Sequence, residues 1–203
     1  EAGHFEADAN GRLTVHPKPG DHFEVAAYPP SGGPYLLRTK GVAWPKAAVK
    51  QEVELALPRG VLVRGQITES GSGKPVADAR VFYLQPYENN PFYRRDGHSP
   101  WFGWGPDTIS GPDGRFALAV SPGKGHLLIQ GSGAEYLHVE ASTRDLTPGA
   151  YENERVYPDG LVKLDLKPDA RTHDVAVQLR RGVTVSGRVL DPEGRPVAEA
   201  VLF

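Results

Sequence analysis

Residues 175–187, VAVQLRRGVTVSG, restate residues 53–65, VELALPRGVLVRG, at an offset of 122. Val53, Leu57, Arg59, Gly60, Val63 and Gly65 recur as Val175, Leu179, Arg181, Gly182, Val185 and Gly187. Apolar and polar residues alternate through both copies in the manner of strands. A long period carrying only strand signals calls for a tandem array of β-domains rather than one large fold.

A second recurrence runs at an offset of 103: Asn10-Gly11-Arg12-Leu13 with Pro19-Gly20 answers Asp113-Gly114-Arg115-Phe116 with Pro122-Gly123. Asn-Gly and Asp-Gly both supply residues that accept positive φ, so each predicts a tight turn between strands. The following strands alternate through Leu13 and Val15 in one copy, and through Phe116, Leu118 and Val120 in the other. After each Pro-Gly a further strand is expected, at 23–25 and at 126–129.

These offsets divide the chain. Residues 1–58 read as the C-terminal part of a β-sandwich repeat, ending on a strand at 53–57. Residues 59–180 read as a complete repeat, and residues 181–203 as the first two strands of another. In the complete repeat Val61, Val63, Gly65 and Ile67 form the inward set of the opening strand, and a glycine inside a strand marks a bulge or a close backbone neighbour. The loop between the first two strands is one residue shorter in the later copy (Pro75 to Pro196), a change that loops absorb and strand registers do not. With no methionine anywhere, Glu1 reads as a position downstream of a translation start, and the expectation is a segment of a longer polypeptide.

Composition agrees and removes several function classes. The 24 glycines and 19 prolines suit short strands and many turns, and leave no room for long helices. Lys+Arg of 23 against Asp+Glu of 25 leaves no basic footprint for nucleic acid or an anionic membrane. The absence of cysteine excludes thiol catalysis, thiolate metal sites and a disulfide framework. No apolar run approaches the ~18 residues of a membrane-spanning helix.

The order G-x-V-x-D-x-x-G-x-P-V-x-x-A, then Asp-Gly-Arg-Phe and its strand, then Pro-Gly, resembles the carboxypeptidase regulatory-like family. The resemblance covers nearly the whole chain, as one full copy and two halves. It implies an all-β fold of tandem transthyretin-like or Ig-like β-sandwiches, roughly seven strands each. Such modules are typically accessory or surface parts, and tandem copies build long bacterial envelope proteins. The resemblance therefore implies a structural or adhesive repeat of a cell-surface or extracellular protein.

Two surfaces are candidate sites. The insertion at 84–106 gathers Tyr87, Phe92, Tyr93, Trp101, Phe102 and Trp104, which could stack on a glycan or anchor a surface protein. A loop this long also needs a small core of its own, and the same rings would supply it. The second surface is the incomplete C-terminal repeat, whose Val183, Val185, Val189, Val197, Leu202 and Phe203 would, left alone, have no covering sheet and are candidates for strand complementation. Either the polypeptide continues and completes both halves, or residues 181–203 of one copy complete the half-domain of the next, head to tail. The expected partners are thus neighbouring repeats or copies of itself, with a glycan or surface protein as the alternative.

Catalysis is expected to be absent. Intradiol dioxygenases share a related sandwich and hold iron with two tyrosines and two histidines, for which Tyr93, Tyr136, His98, His126 and His138 are the available residues. Their paired R-P-x-H-x-H histidines are missing, and His126 and His138 lie twelve apart. His4, His16, His22 and His173 have no ligand spacing. No H-x-x-E or H-E-x-x-H zinc motif occurs, and Ser99, Ser110 and Ser121 sit in turns without a nucleophile elbow. Asp107, Asp113 and Asp191 fall in loops without calcium-loop spacing, and turn chemistry accounts for them. No cofactor or metal is called for.

Overall fold

The structure, a computed structural model, describes residues 5–16, 20–46, 48–86, 88, 90–92, 108–148, 154–183 and 186–200. Among these the chain is all-β. The strands are β1 (His22–Ala27), β2 (Arg38–Ala43), β3 (Val61–Glu69), β4 (Arg80–Leu84), β5 (Thr108–Ile109), β6 (Arg115–Val120), β7 (Gly123–Gln130), β8 (Ala141–Ser142), β9 (Arg155–Val156), β10 (Gly160–Leu166) and β11 (Thr172–Leu179). One four-residue helix, α1 (Thr143–Leu146), is capped by the Ser142 hydroxyl, which accepts from the Asp145 amide.

Two sheets form a sandwich. One has the order β10-β7-β4-β5 and the other β11-β3-β6. Every pairing is antiparallel except β11 with β3, which is parallel, so the first and last strands lie side by side. Val61, Val63 and Ile67 of β3, with Phe116, Val120, Val177 and Leu179, meet Val81, Leu127, Ile129, Leu164 and Leu166 of the opposite sheet. The expected inward set of β3 is therefore the core. Gly65 sits within that strand because a Cβ there would strike the Phe116 ring and the Val175 side chain.

The run Leu127-Leu128-Ile129 does not alternate, and the fold shows why. Leu127 and Ile129 face the sandwich interior, while Leu128 packs outward against Leu84 and Leu146 of α1. The segment containing β8, α1 and β9 thus covers the outer face of the four-stranded sheet, and two-sided burial replaces the amphipathic pattern with a continuous one.

The Asp113-Gly114 turn lies between strands, as expected. It joins β5 to β6, which belong to opposite sheets, and so forms a corner of the sandwich. Gly114 adopts φ +73, and any Cβ there would collide with the Ile67 carbonyl oxygen. Buried Ser110 fastens the corner, its hydroxyl donating to Val76 O at 2.8 Å and accepting from the Ala79 amide at 3.0 Å.

Outside this sandwich, β1 and β2 form an antiparallel pair. They stand at offsets of 103 and 122 from β7 and β10, which pair in the same sense. Two expectations are corrected. Among the described residues, 12–16 and 53–57 carry no strand pairing, and 186–200 hold only the isolated bridge Leu190↔Pro196. The reason lies in the middle strand. β11 and β6 are both held by β3, and the repeat position of β3 next occurs at 183–191, with no pairing to 12–16 or 53–57 among the described residues. A strand without a neighbour has nowhere to place its backbone hydrogen bonds except water.

Candidate functional site

The insertion after β4 springs from a tightly packed base. Tyr83 lies over Gly125, its hydroxyl donates to Ser121 O at 3.2 Å, and burial pushes its ionisation up to about 12. Gln85 is buried beside the Tyr83 hydroxyl. Phe92 is half-buried against Gly123, at the corner between β6 and β7, and its amide donates to Asn90 Oδ1 at 3.0 Å. Of the six candidate aromatics, Phe92 alone falls in the described part. Tyr87, Tyr93, Trp101, Phe102 and Trp104 lie outside the described residues.

The C-terminal surface can be read position by position against the closed sandwich. Val183 is 89% exposed, whereas Val61 at the same repeat position is 1% exposed. Val189 is 37% exposed against 0% for Ile67. On the other half, Leu13 is 52% exposed and its counterpart Phe116 is 6% exposed. Val197 is likewise exposed where Val76 is buried. Gly187 has open space where Gly65 is crowded by Phe116 and Val175, whose repeat counterparts are Leu13 and Val53. Val185, Leu202 and Phe203 lie outside the described residues.

Of the residues weighed for iron, His126, Tyr136 and His138 lie among the described residues, each with a hydrogen-bond partner of its own. His126 Nδ1 lies 3.0 Å from Leu146 O, so it carries the proton and donates, since a carbonyl only accepts. His138 Nδ1 lies 2.7 Å from Oδ1 of buried Asp159, whose Oδ2 accepts from the Gly131 amide at 2.7 Å. The Tyr136 hydroxyl donates to Glu69 Oε1 at 3.4 Å. Burial, reinforced by Glu69 and Glu135 and opposed by Arg181, holds the Tyr136 phenol above its ordinary value. Among the described residues no three His, Asp or Glu side chains gather as a metal-binding group. His98 and Tyr93 lie outside the described residues. Asp113 and Asp191 accept backbone amides at their turns, from Arg115 and from Glu193 and Arg195 respectively. Asp107 is outside the described part.

Sequence reading passed over Tyr35-Leu36 and Tyr136-Leu137. These two dipeptides recur at an offset of 101, and each meets an Arg-Gly step, at 59–60 and at 181–182. Their signal was only two residues long, too short to stand out beside the longer motifs.

No protein-family model matches the chain, and no curated protein matches it. Among solved structures it is similar to a DUF3823 family protein from Parabacteroides merdae, at 16% identity and TM-score 0.30, covering 60% of this chain and 45% of that one. It is also similar to BcpA, the major pilin subunit of Bacillus cereus, at 13% identity and TM-score 0.35, covering 75% and 40%. A 9R-lipoxygenase from Cyanothece is matched at 15% identity and TM-score 0.32, covering 74% and 21%. The chain spans less than half the length of each of these structures. Likeness at this level carries no argument about function. No helix among the described residues is long and apolar enough to cross a membrane.

Proposed function

We propose that the chain is a structural repeat module of a linear bacterial cell-surface or extracellular protein, built from carboxypeptidase regulatory-like sandwiches that complete one another by strand complementation. One observation carries this reading. Val61, Ile67, Val76 and Phe116 are buried in the closed sandwich, and Val183, Val189, Val197 and Leu13 at the same repeat positions are exposed, with Val183 against Val61 the largest contrast. Each such side chain contributes about 1.5–3 kcal/mol when covered. The supporting detail is the matching pair of surfaces: the slot above Gly187 is the place that Leu13 and Val53 would fill.

The register follows from the closed unit. Arg64 pairs with Ala117, and Gly65 with both Phe116 and Val175. By the two offsets, Ser186 of one copy then faces Thr14 of the next, and Gly187 faces Leu13 and Val53. In the isolated chain a second copy supplies the complement, and repetition of a heterologous contact makes a filament.

The cysteine-free sequence makes the test clean. A Thr14→Cys, Ser186→Cys double variant should form disulfide-linked ladders under mild oxidation, and light scattering should give masses rising with concentration. A mass of 22.0 kDa at every concentration, with no ladder, would overturn strand exchange between copies.

A further inference from the structure

Each repeat in this chain carries a short segment that grips the entry of the repeat after it. Beyond β1, the Leu36 amide donates to Pro58 O at 2.9 Å and the Gly60 amide donates to Pro34 O at 2.9 Å, forming an antiparallel bridge between Tyr35 and Arg59. Beyond β7, the Leu137 amide donates to Arg180 O at 2.8 Å and the Gly182 amide donates to Glu135 O at 2.7 Å, bridging Tyr136 and Arg181. The two sets of bonds are the same, atom for atom, at equivalent repeat positions. A single such bridge is an ordinary loop contact; the same bridge twice, at both repeat boundaries, is a feature of the repeat.

Side chains complete the arrangement. Both boundaries place a glycine under the leucine: a Cβ on Gly60 would strike Leu36 and the Val120 carbonyl, and one on Gly182 would press on Leu137. Leu36 is 6% exposed, because a closed sandwich follows it, whereas Leu137 is 46% exposed, with only part of a repeat beyond it. At the second boundary Arg181 reaches Glu69 at 3.4 Å and Glu135 at 4.0 Å, and Glu69 also accepts from the Tyr136 hydroxyl. Asp159 brackets the same segment through Gly131 and His138.

We infer that the Tyr-Leu segment is a docking face whose partner is the Arg-Gly entry of the following repeat, and that it joins successive repeats as one rigid body. Without it the boundary would be a two-residue connection, Pro58-Arg59 or Arg180-Arg181, free to rotate about its backbone dihedrals. With it, the exit of one sandwich and the entry of the next share a hydrogen-bonded bridge and a leucine plug. The inference rests on the repeat reading but not on exchange between copies, since both docking faces are occupied within a single chain.

The test uses the full chain, with spin labels at Glu24→Cys on β1 and Lys124→Cys on β7, both exposed. Dipolar spectroscopy at labelled-monomer dilution should give one narrow distance distribution. Adding Leu36→Ala should broaden it and raise amide exchange at Gly60 about tenfold or more, the scale of one lost backbone hydrogen bond. Protection at Val63 and Ile67 should stay unchanged, which separates an opened boundary from an unfolded sandwich. A broad distribution in the parent, or a narrow one that Leu36→Ala leaves narrow, would overturn the inference. A strictly monomeric chain would overturn strand exchange and leave this result standing.

Discussion

Gly65 and Gly187 occupy the same repeat position and have opposite surroundings. The first lies beneath the Phe116 ring and beside Val175, and the second has nothing within 4 Å among the described residues. Gly65→Ala should therefore lower stability by about 1–3 kcal/mol through overpacking, read as a shift in urea midpoint, while Gly187→Ala should leave the midpoint of the isolated chain where it is. His126 supplies a pH dependence of known sign. Burial, with Lys163 adding and the Leu146 carbonyl opposing, holds its imidazole below the ordinary value. The unfolded chain then binds a proton that the folded chain resists, so stability is full above the ordinary imidazole range near 6.5. It falls as the pH drops through that range towards the lowered folded value. His126→Gln should flatten the urea midpoint between about pH 5 and about pH 8 relative to the parent, and an unchanged slope would contradict the assignment.

Turns and strands behave differently across the repeats. The Asp8 carboxylate accepts from the Asn10 and Arg12 amides, and Gly11 takes φ +71, close to the +73 of Gly114. Asp78 and Glu199, at matching positions, both adopt positive φ, at 56 and 59. The bond from the Val76 amide to Ile67 O at 2.9 Å is repeated from the Val197 amide to Val189 O at 2.9 Å. Short-range chemistry is enough to set these turns, and the repeat motifs announced them. Strand pairing at 12–16 and 53–57 was equally strong in the motifs and is missing among the described residues, because a ladder needs a neighbour that a local pattern cannot supply. The corner at Ser110 shows the cost of losing a long-range tie. Ser110→Ala removes its two buried hydrogen bonds and leaves the Ala79 amide and Val76 carbonyl unpaired, which should cost about 1–3 kcal/mol in urea unfolding.

For the molecule as a whole, the exposed apolar positions near its ends and the Tyr-Leu bridges make different demands. If copies complete one another in the proposed register, Gly187→Val fills the slot meant for Leu13 and Val53. It should abolish concentration-dependent mass growth in light scattering while the urea midpoint of the β3-centred sandwich stays unchanged. Retained growth in that variant would remove the register. The all-β class, the inward set of β3 and the turn positions were legible in the chain, because periodicity and Gly, Pro and Asp chemistry act over a few residues, whereas the side chains that crowd Gly65 were not. The candidate aromatic surface was legible only as composition, with Phe92 the one ring placed among the described residues. Which sheet each strand joins, the parallel pairing of β11 with β3, the cover of β8, α1 and β9 over Leu128, and the Tyr-Leu grip on the next repeat's entry came from tertiary packing. Each of these depends on partners tens of residues away, and no alternation of apolar and polar residues records which distant backbone will be there to receive a hydrogen bond.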